Sequence, residues 1–274
     1  MQAGTATWPK RTERKGHVVA LFMALLLIFC VAAPFTIKCG PKYDWHSQET
    51  SAKIRCMKAK LDAIIRTEQA EYLDKLLPTN DDLLVEMENY AAEHRVPIAD
   101  REVSRFIQIT ARSIKARRAL ECGMAIGYSV IHLLRGMGDG GRVITIDPSD
   151  EMIKLADGYL KRAGLRGRAD IHKGFALDVI PQINETFDLI FLDAVKEEYR
   201  GYLDLSLPKL RTGGVVICDN LLWGGQVAGE IRSQDQRAST EALREFNQYF
   251  TNHPQLLAEV LPVGDGLGYG VKLD

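Results

Sequence analysis

The chain of 274 residues has no excess of either charge: 35 lysines and arginines stand against 36 aspartates and glutamates. No basic field is available to gather nucleic-acid phosphates, which argues against a bulk nucleic-acid binder and for a small-molecule or protein partner. Cysteine is scarce. The five present, Cys30, Cys39, Cys56, Cys122 and Cys218, form no Cys-x-x-Cys pair and no zinc spacing. A disulfide framework and a structural zinc site are therefore not expected, and Cys122 and Cys218, inside apolar strand-like runs, read as buried free thiols. Internal repeats and low-complexity tracts are also missing. With 46% apolar residues, the chain has enough material for a real core in one or two domains.

One long apolar run does occur. Val18 to Ile37, VVALFMALLLIFCVAAPFTI, contains twenty residues without a charge and follows the basic cluster Lys10, Arg11, Arg14 and Lys15. Roughly 20 apolar residues span a bilayer core as a helix. The expectation is a basic leader over 1–17, a single-pass membrane anchor over 18–37, a polar linker over 38–51 and one catalytic domain over 52–274. Alternatives for the run are a cleaved signal peptide, a mitochondrial presequence and a buried core helix. The positive-inside rule leaves the side of the membrane open, because Lys38 and Lys42 weaken the charge asymmetry.

Three helical stretches follow, from Ile54 to Pro78, Asp81 to Glu93 and Asp100 to Ala116. The rhythm then changes to short apolar runs alternating with helices. Strands are expected at Ala119–Cys122, Val143–Ile146, Ala169–Gly174, Phe187–Leu192 and Gly214–Cys218, with helices at Ser129–Gly136, Ser149–Ala163 and Tyr199–Leu210. Alternation of this kind implies a parallel sheet covered on both faces. At the end, LLAEVLPV, the turn Gly264-Asp265-Gly266 and LGYGVKL read as a β-hairpin. The fold class is therefore α/β: a Rossmann-like, mostly parallel seven-stranded sheet with a C-terminal antiparallel hairpin and helices on both faces.

In such sheets ligands bind beyond the carboxyl ends of the strands. After the first strand come Gly123 and Gly127, where missing side chains let a ligand approach the backbone near a helix N-terminus. The close Gly-x-Gly pair that seats a pyrophosphate is absent, so this loop suits a nucleoside without phosphates better than a dinucleotide. After the second strand, Asp147 is placed either to accept hydrogen bonds from two ribose hydroxyls or to cap the next helix. After the fourth come Asp193 and Lys196, and after the fifth Asp219 and Asn220. If those two strands are neighbours, two carboxylates and an amide oxygen meet on one rim, a donor set suited to Mg²⁺ or a similar hard cation. Ordinary strand-end capping is the alternative. Trp223, Tyr199 and Tyr202 either line an aromatic pocket or pack in the core.

Together, ECGMAIGYS, ITID, KGFALDVIP, FDLIFLDAVKEEY, LRTGGVVICDNLLWGG and VGDGLGYGVKL resemble the cation-dependent O-methyltransferases of the caffeoyl-CoA and catechol type, over roughly Tyr72 to Leu273. The resemblance implies a class I methyltransferase fold and S-adenosylmethionine as cofactor. It implies cofactor contacts at Ala99, Glu121, Gly123, Met124, Ser129, Asp147, Ala176 and Asp193. Metal ligands are implied at Asp193, Asp219 and Asn220, and Lys196 stands where catechol-type members place the lysine that takes the substrate proton. The implied acceptor is a small hydroxylated aromatic, and a homodimer is the family's habit. The chain also departs from the family. Asp193-Ala194-Val195-Lys196 replaces Asp-Ala-Asp-Lys, Phe175 replaces an acidic residue or proline, Ser104 and Arg105 stand where relatives carry Gly-Gln, and Ala99 replaces a hydroxyl residue. These departures bear on the acceptor and remove no implied metal ligand. A nicotinamide-dependent oxidoreductase on a related sheet and a non-catalytic scaffold of the same fold remain the alternatives.

Overall fold

A computed structural model describes residues 67–274 of the chain. Within it, seven strands form one sheet in the order β3-β2-β1-β4-β5-β7-β6. These are β1 (Arg118–Cys122), β2 (Arg142–Asp147), β3 (Ala169–Lys173), β4 (Phe187–Leu192), β5 (Leu210–Cys218), β6 (Leu256–Leu261) and β7 (Leu267–Lys272). The first five run parallel, and β7 enters antiparallel between β5 and β6. The mostly parallel sheet with its closing hairpin is the one expected.

The helices are α1 (Thr67–Leu76), α2 (Asp82–His94), α3 (Arg101–Ser113), α4 (Tyr128–Met137), α5 (Asp150–Arg162), α6 (Ala176–Val179), α7 (Tyr199–Ser206) and α8 (Arg237–Thr251). Strand residues alternate between two cores, because successive side chains leave a strand on opposite faces. Ala119, Val143, Leu189, Phe191, Val215 and Ile217 pack toward α2, α3, α4 and α5. Leu120, Ile144, Ile190, Leu192, Val216 and Cys218 pack toward α7 and α8. Burial on both faces explains why Leu189–Leu192, LIFL, reads as a continuous apolar run. Cys122 and Cys218 are buried free thiols, as expected.

Two elements differ from expectation. The helix expected through Leu210 ends at Ser206, because Pro208 cannot continue it; a single 3-10 turn, Leu207–Lys209, leads straight into β5. Helix α8 was not expected at all. Its core side is a narrow stripe, Thr240, Leu243, Phe246 and Phe250, and its N-cap, Gln236, makes no side-chain capping bond. The usual start signal is missing, and packing holds the helix: Leu243, Phe246 and Phe250 are buried, roughly 1.5–3 kcal/mol each.

The expected membrane placement is corrected. Among the described residues no helix is long and apolar enough to cross a membrane. The longest of them, α8, has 15 residues and mixes polar with apolar positions, short of the roughly 20 apolar residues a span requires. The stretch that carried the expectation, Val18–Ile37, lies outside the described residues, as do the leader, the linker and the first part of the helix expected from Ile54.

Candidate active site

Strand order reverses between β1 and β4, which opens a crevice beyond their carboxyl ends. Backbone bonds tie the strand ends together in steps: Gly123 N–H donates to Ile146 O, Asp193 N–H to Cys122 O, and Asp219 N–H to Leu192 O, all within 2.9–3.0 Å. The residues read from sequence as following each strand therefore share one rim.

The loop after β1 turns back on itself through three positive-φ residues, Gly123 (φ 90°), Ala125 (φ 46°) and Gly127 (φ 85°). A Cβ at Gly123 would overlap the backbone carbonyl oxygen of Asp193, so only glycine lets the loop lie against the end of β4. Asp147 holds the other side. Its Oδ2 accepts the Ala125 N–H and its Oδ1 the Ser149 N–H, both at 2.9 Å. Capping of α5 is done by Ser149, whose hydroxyl accepts the Met152 N–H. The capping alternative for Asp147 is thus taken by its neighbour.

Glu121 lies on the sheet face beneath this loop, fully buried, and accepts the Thr145 hydroxyl at 2.5 Å. Burial pushes its carboxyl up to about 7, with the nearby Asp193 and Asp147 charges adding to the shift and the hydroxyls of Ser129 and Thr145 opposing it. The folded protein therefore binds a proton at Glu121 between pH 4.5 and about 7, where the unfolded chain does not. Stability is full below the unfolded value and falls as pH rises through that window, by roughly 3 kcal/mol. Urea denaturation of the cofactor-free protein across it should show Glu121→Gln lacking this loss; parallel curves for the two proteins would refute the assignment.

At the ends of β4 and β5, Lys196 is buried and bridges two partners. Its Nζ donates to Asp193 Oδ1 at 3.0 Å and to the Tyr199 hydroxyl oxygen at 2.8 Å. Tyr199, wholly buried, shares its own O–H between the carbonyls of Asp219 (3.0 Å) and Leu192 (3.2 Å). The lysine is thereby pinned to the rim, with its ammonium 5.9 Å from the Trp223 ring. Asp219 is buried, and its carboxyl is raised well above the usual range by that burial and by the charge of Asp193, with Lys196 opposing. Its Oδ1 accepts the Asn220 N–H at 2.7 Å, and Asn220 sits at φ 61° in the tight turn after β5. Among the described residues no group of three His, Cys, Asp or Glu side chains is arranged to hold a metal. The rim instead brings the carboxylates of Asp193 and Asp219 together, with Asn220 next in the chain.

Other sequence candidates are placed less centrally. Met124 is buried in the core that includes α2 to α5. Ala176 opens α6 and packs with the opposite core. Ala99 lies in the α2–α3 connection, along a cleft shared with Tyr128. Two contributors were missed as site residues. Tyr199 was left between core and pocket, and Asp100, read only as a helix start, lends its charge to raise Asp219. Nothing in the local sequence places Asp100 near the end of β5.

The chain matches the family described as O-methyltransferase over residues 74–273. It is 32% identical over 182 residues to a catechol O-methyltransferase from Niastella koreensis, covering 64% of this chain and 81% of that protein. A caffeoyl-CoA O-methyltransferase from Eucalyptus globulus is 26% identical, with 69% of this chain and 81% of that one covered. Among solved structures, the O-methyltransferase from Bacillus cereus in complex with SAH superposes with a TM-score of 0.66 at 30% identity, over 75% of this chain and 98% of that one. With the family match spanning most of its length on a sheet of the same kind, the chain belongs to the O-methyltransferase family.

Proposed function

We propose that the protein transfers a methyl group from S-adenosylmethionine to one hydroxyl of a catechol-like or other vicinal-diol small molecule, using a divalent cation, foremost Mg²⁺, held by Asp193, Asp219 and Asn220. The observation that carries this reading is the rim itself: the Asp193 and Asp219 carboxylates close enough to repel, a buried lysine joining Asp193 to Tyr199, and Asn220 in the turn directly after Asp219. The names of the catechol and caffeoyl-CoA relatives and the SAH in the Bacillus cereus structure support the acceptor class and the cofactor. We assign the catalytic domain to residues 52–274.

The donor set fits the cation, since a positive charge at the rim would offset the burial and the Asp193 charge that together raise the Asp219 carboxyl. When bound there, the cation would chelate both acceptor oxygens and lower the pKa of one of them. S-adenosylmethionine would supply a methyl on its sulfonium centre: as the acceptor oxygen bonds to that carbon, the C–S bond breaks and S-adenosylhomocysteine leaves as the neutral thioether. The chain's own residues do the rest. The glycine loop brings main-chain groups close to the cofactor, Asp147 and Glu121 face it with acceptors, and Ser129, Ala99, Met124 and Ala176 complete its seat. Lys196, which needs its neutral amine form for this role, takes the proton leaving the acceptor hydroxyl, and Tyr199 holds that amine in place so that the geometry is set before substrate arrives.

Supplying the full chain with cofactor, Mg²⁺ and a panel of vicinal diphenols should yield mono-methylated product. EDTA should abolish it and added Mg²⁺ restore it. Activity untouched by both EDTA and Asp219→Ala would defeat the metal part of the reading. Calorimetry that detects NAD and not S-adenosylhomocysteine would defeat the cofactor.

A further inference from the structure

Beyond β5 the chain turns tightly several times before α8, and the first of these turns brings the Trp223 ring to 5.9 Å from the Lys196 ammonium. The backbone there is unusual for side chains of this kind. Asn220 and Trp223 take φ values of 61° and 48°, and Gly224 and Gly225 follow at 61° and 81°. A bulky residue holds positive φ only where surrounding contacts over-determine it.

Those contacts come from two neighbours. From the hairpin turn, Asp265 Oδ1 accepts the Gly224 N–H at 2.6 Å and its carbonyl the Leu222 N–H at 2.9 Å. From α8, Asn247 Nδ2 donates to Leu221 O at 2.7 Å. Arg244, half-buried one turn earlier on that helix, donates through Nε to Val227 O at 3.1 Å. One of its terminal nitrogens donates to Gln226 O at 2.9 Å and to Gly229 O at 2.5 Å. The loop also closes on itself: buried Gln226 donates to Gln236 Oε1 at 2.7 Å and accepts the Arg232 N–H at 2.9 Å. A guanidinium is a rigid fork of five donors, so a single side chain fixes three carbonyls relative to one another. None of these bonds reaches Asp193, Lys196 or Asp219.

We propose that Arg244 is a positioning residue for the acceptor: by clamping the carbonyls of Gln226, Val227 and Gly229 it holds Trp223 in its left-handed backbone, so that the indole stands as a fixed wall beside Lys196 for the acceptor ring. The assignment rests on the methyl-transfer reading and adds to it a residue remote from the reacting atoms. A wall set in advance spares the acceptor the cost of ordering the loop as it binds. The benefit falls on acceptor affinity, because the wall is present equally in the ground state and the transition state.

In the full chain, Arg244→Met should raise the KM for a vicinal diphenol about tenfold or more, with kcat within about threefold and the Kd of S-adenosylhomocysteine unchanged. Arg244→Lys, whose single ammonium cannot span three carbonyls, should recover part of the loss. Arg237→Met is the control: it removes an exposed arginine of the same helix, paired with Glu241, and should leave KM alone. Labelling with 5-fluorotryptophan gives a readout independent of turnover. The chain has three tryptophans, Trp8, Trp45 and Trp223, and the fluorine resonance lost in Trp223→Phe should shift or broaden in Arg244→Met. Where Arg244→Met does not fold, Asn247→Ala removes only the bond to Leu221 and should move both readouts in the same direction. A wild type that binds S-adenosylhomocysteine and methylates no diphenol defeats the acceptor reading, and the fluorine resonance then decides the anchor alone. An unmoved resonance, an unchanged KM, or S-adenosylhomocysteine affinity falling in parallel with acceptor affinity would overturn the proposal.

Discussion

Lys196→Met is expected to lower kcat by about 10²–10⁴, the usual contribution of a positioned proton acceptor, while S-adenosylhomocysteine still binds. The side chain removed is buried and joins Asp193 to Tyr199, so its loss takes away the proposed proton acceptor together with the charge that opposes the raised Asp219 carboxyl. Lys196→Arg separates the two contributions. A guanidinium keeps the charge and does not deprotonate in proteins, so the arginine variant should stay as slow as the methionine variant if proton transfer is what matters. Single-turnover rates with a vicinal diphenol and saturating cofactor measure the step directly. An arginine variant at wild-type rate would show that Lys196 acts through its charge alone.

Gly123→Ala is expected to cost about 3 kcal/mol or more of stability and to abolish binding of S-adenosylhomocysteine. Two penalties combine at this position. The backbone is at φ 90°, which an L side chain rarely adopts, and the added Cβ would strike the carbonyl oxygen of Asp193. Because the obstruction is backbone, it cannot move aside as a side-chain tip would. Relief requires displacing the end of β4, which carries Asp193 and, three residues on, Lys196. Gly158→Ala is the matching control: it lies inside α5 with nothing within 4 Å of a new Cβ, and should stabilise by about 0.5–1 kcal/mol. Urea denaturation and calorimetry on both variants test the contrast. Cofactor affinity retained in Gly123→Ala would mean that the loop does not approach its ligand through this backbone.

The central strands could be read from the chain because a strand buried on both faces leaves a continuous apolar signature. Phe187–Leu192 is found where it was expected, to the residue. The hairpin was legible for a different reason: Gly264 and Gly266 both take positive φ, and glycine is the residue that does so without strain. Helix α8 was not legible, because its apolar stripe is narrow and its start lacks a side-chain cap. The apolar run at Val18–Ile37 pointed to a membrane span that the described helices do not provide.

The site divides along the same line. Local sequence determined which residue types follow each strand, because strand ends and the turns after them leave short, recognisable signals: Gly123 and Gly127, Asp147, then Asp193 with Lys196, and Asp219 with Asn220. Tertiary structure alone decided what those residues do to one another. Only the β1–β4 and β4–β5 pairings bring Asp193 beside Asp219, and only the packing of Tyr199 under the rim pins Lys196 between Asp193 and the tyrosine hydroxyl. Ser149 took the capping role that sequence had left open to Asp147, and the charge of Asp100, more than a hundred residues before Asp219, reached it through the fold. Electrostatic coupling and burial depend on distances through space, and a linear pattern carries no record of them.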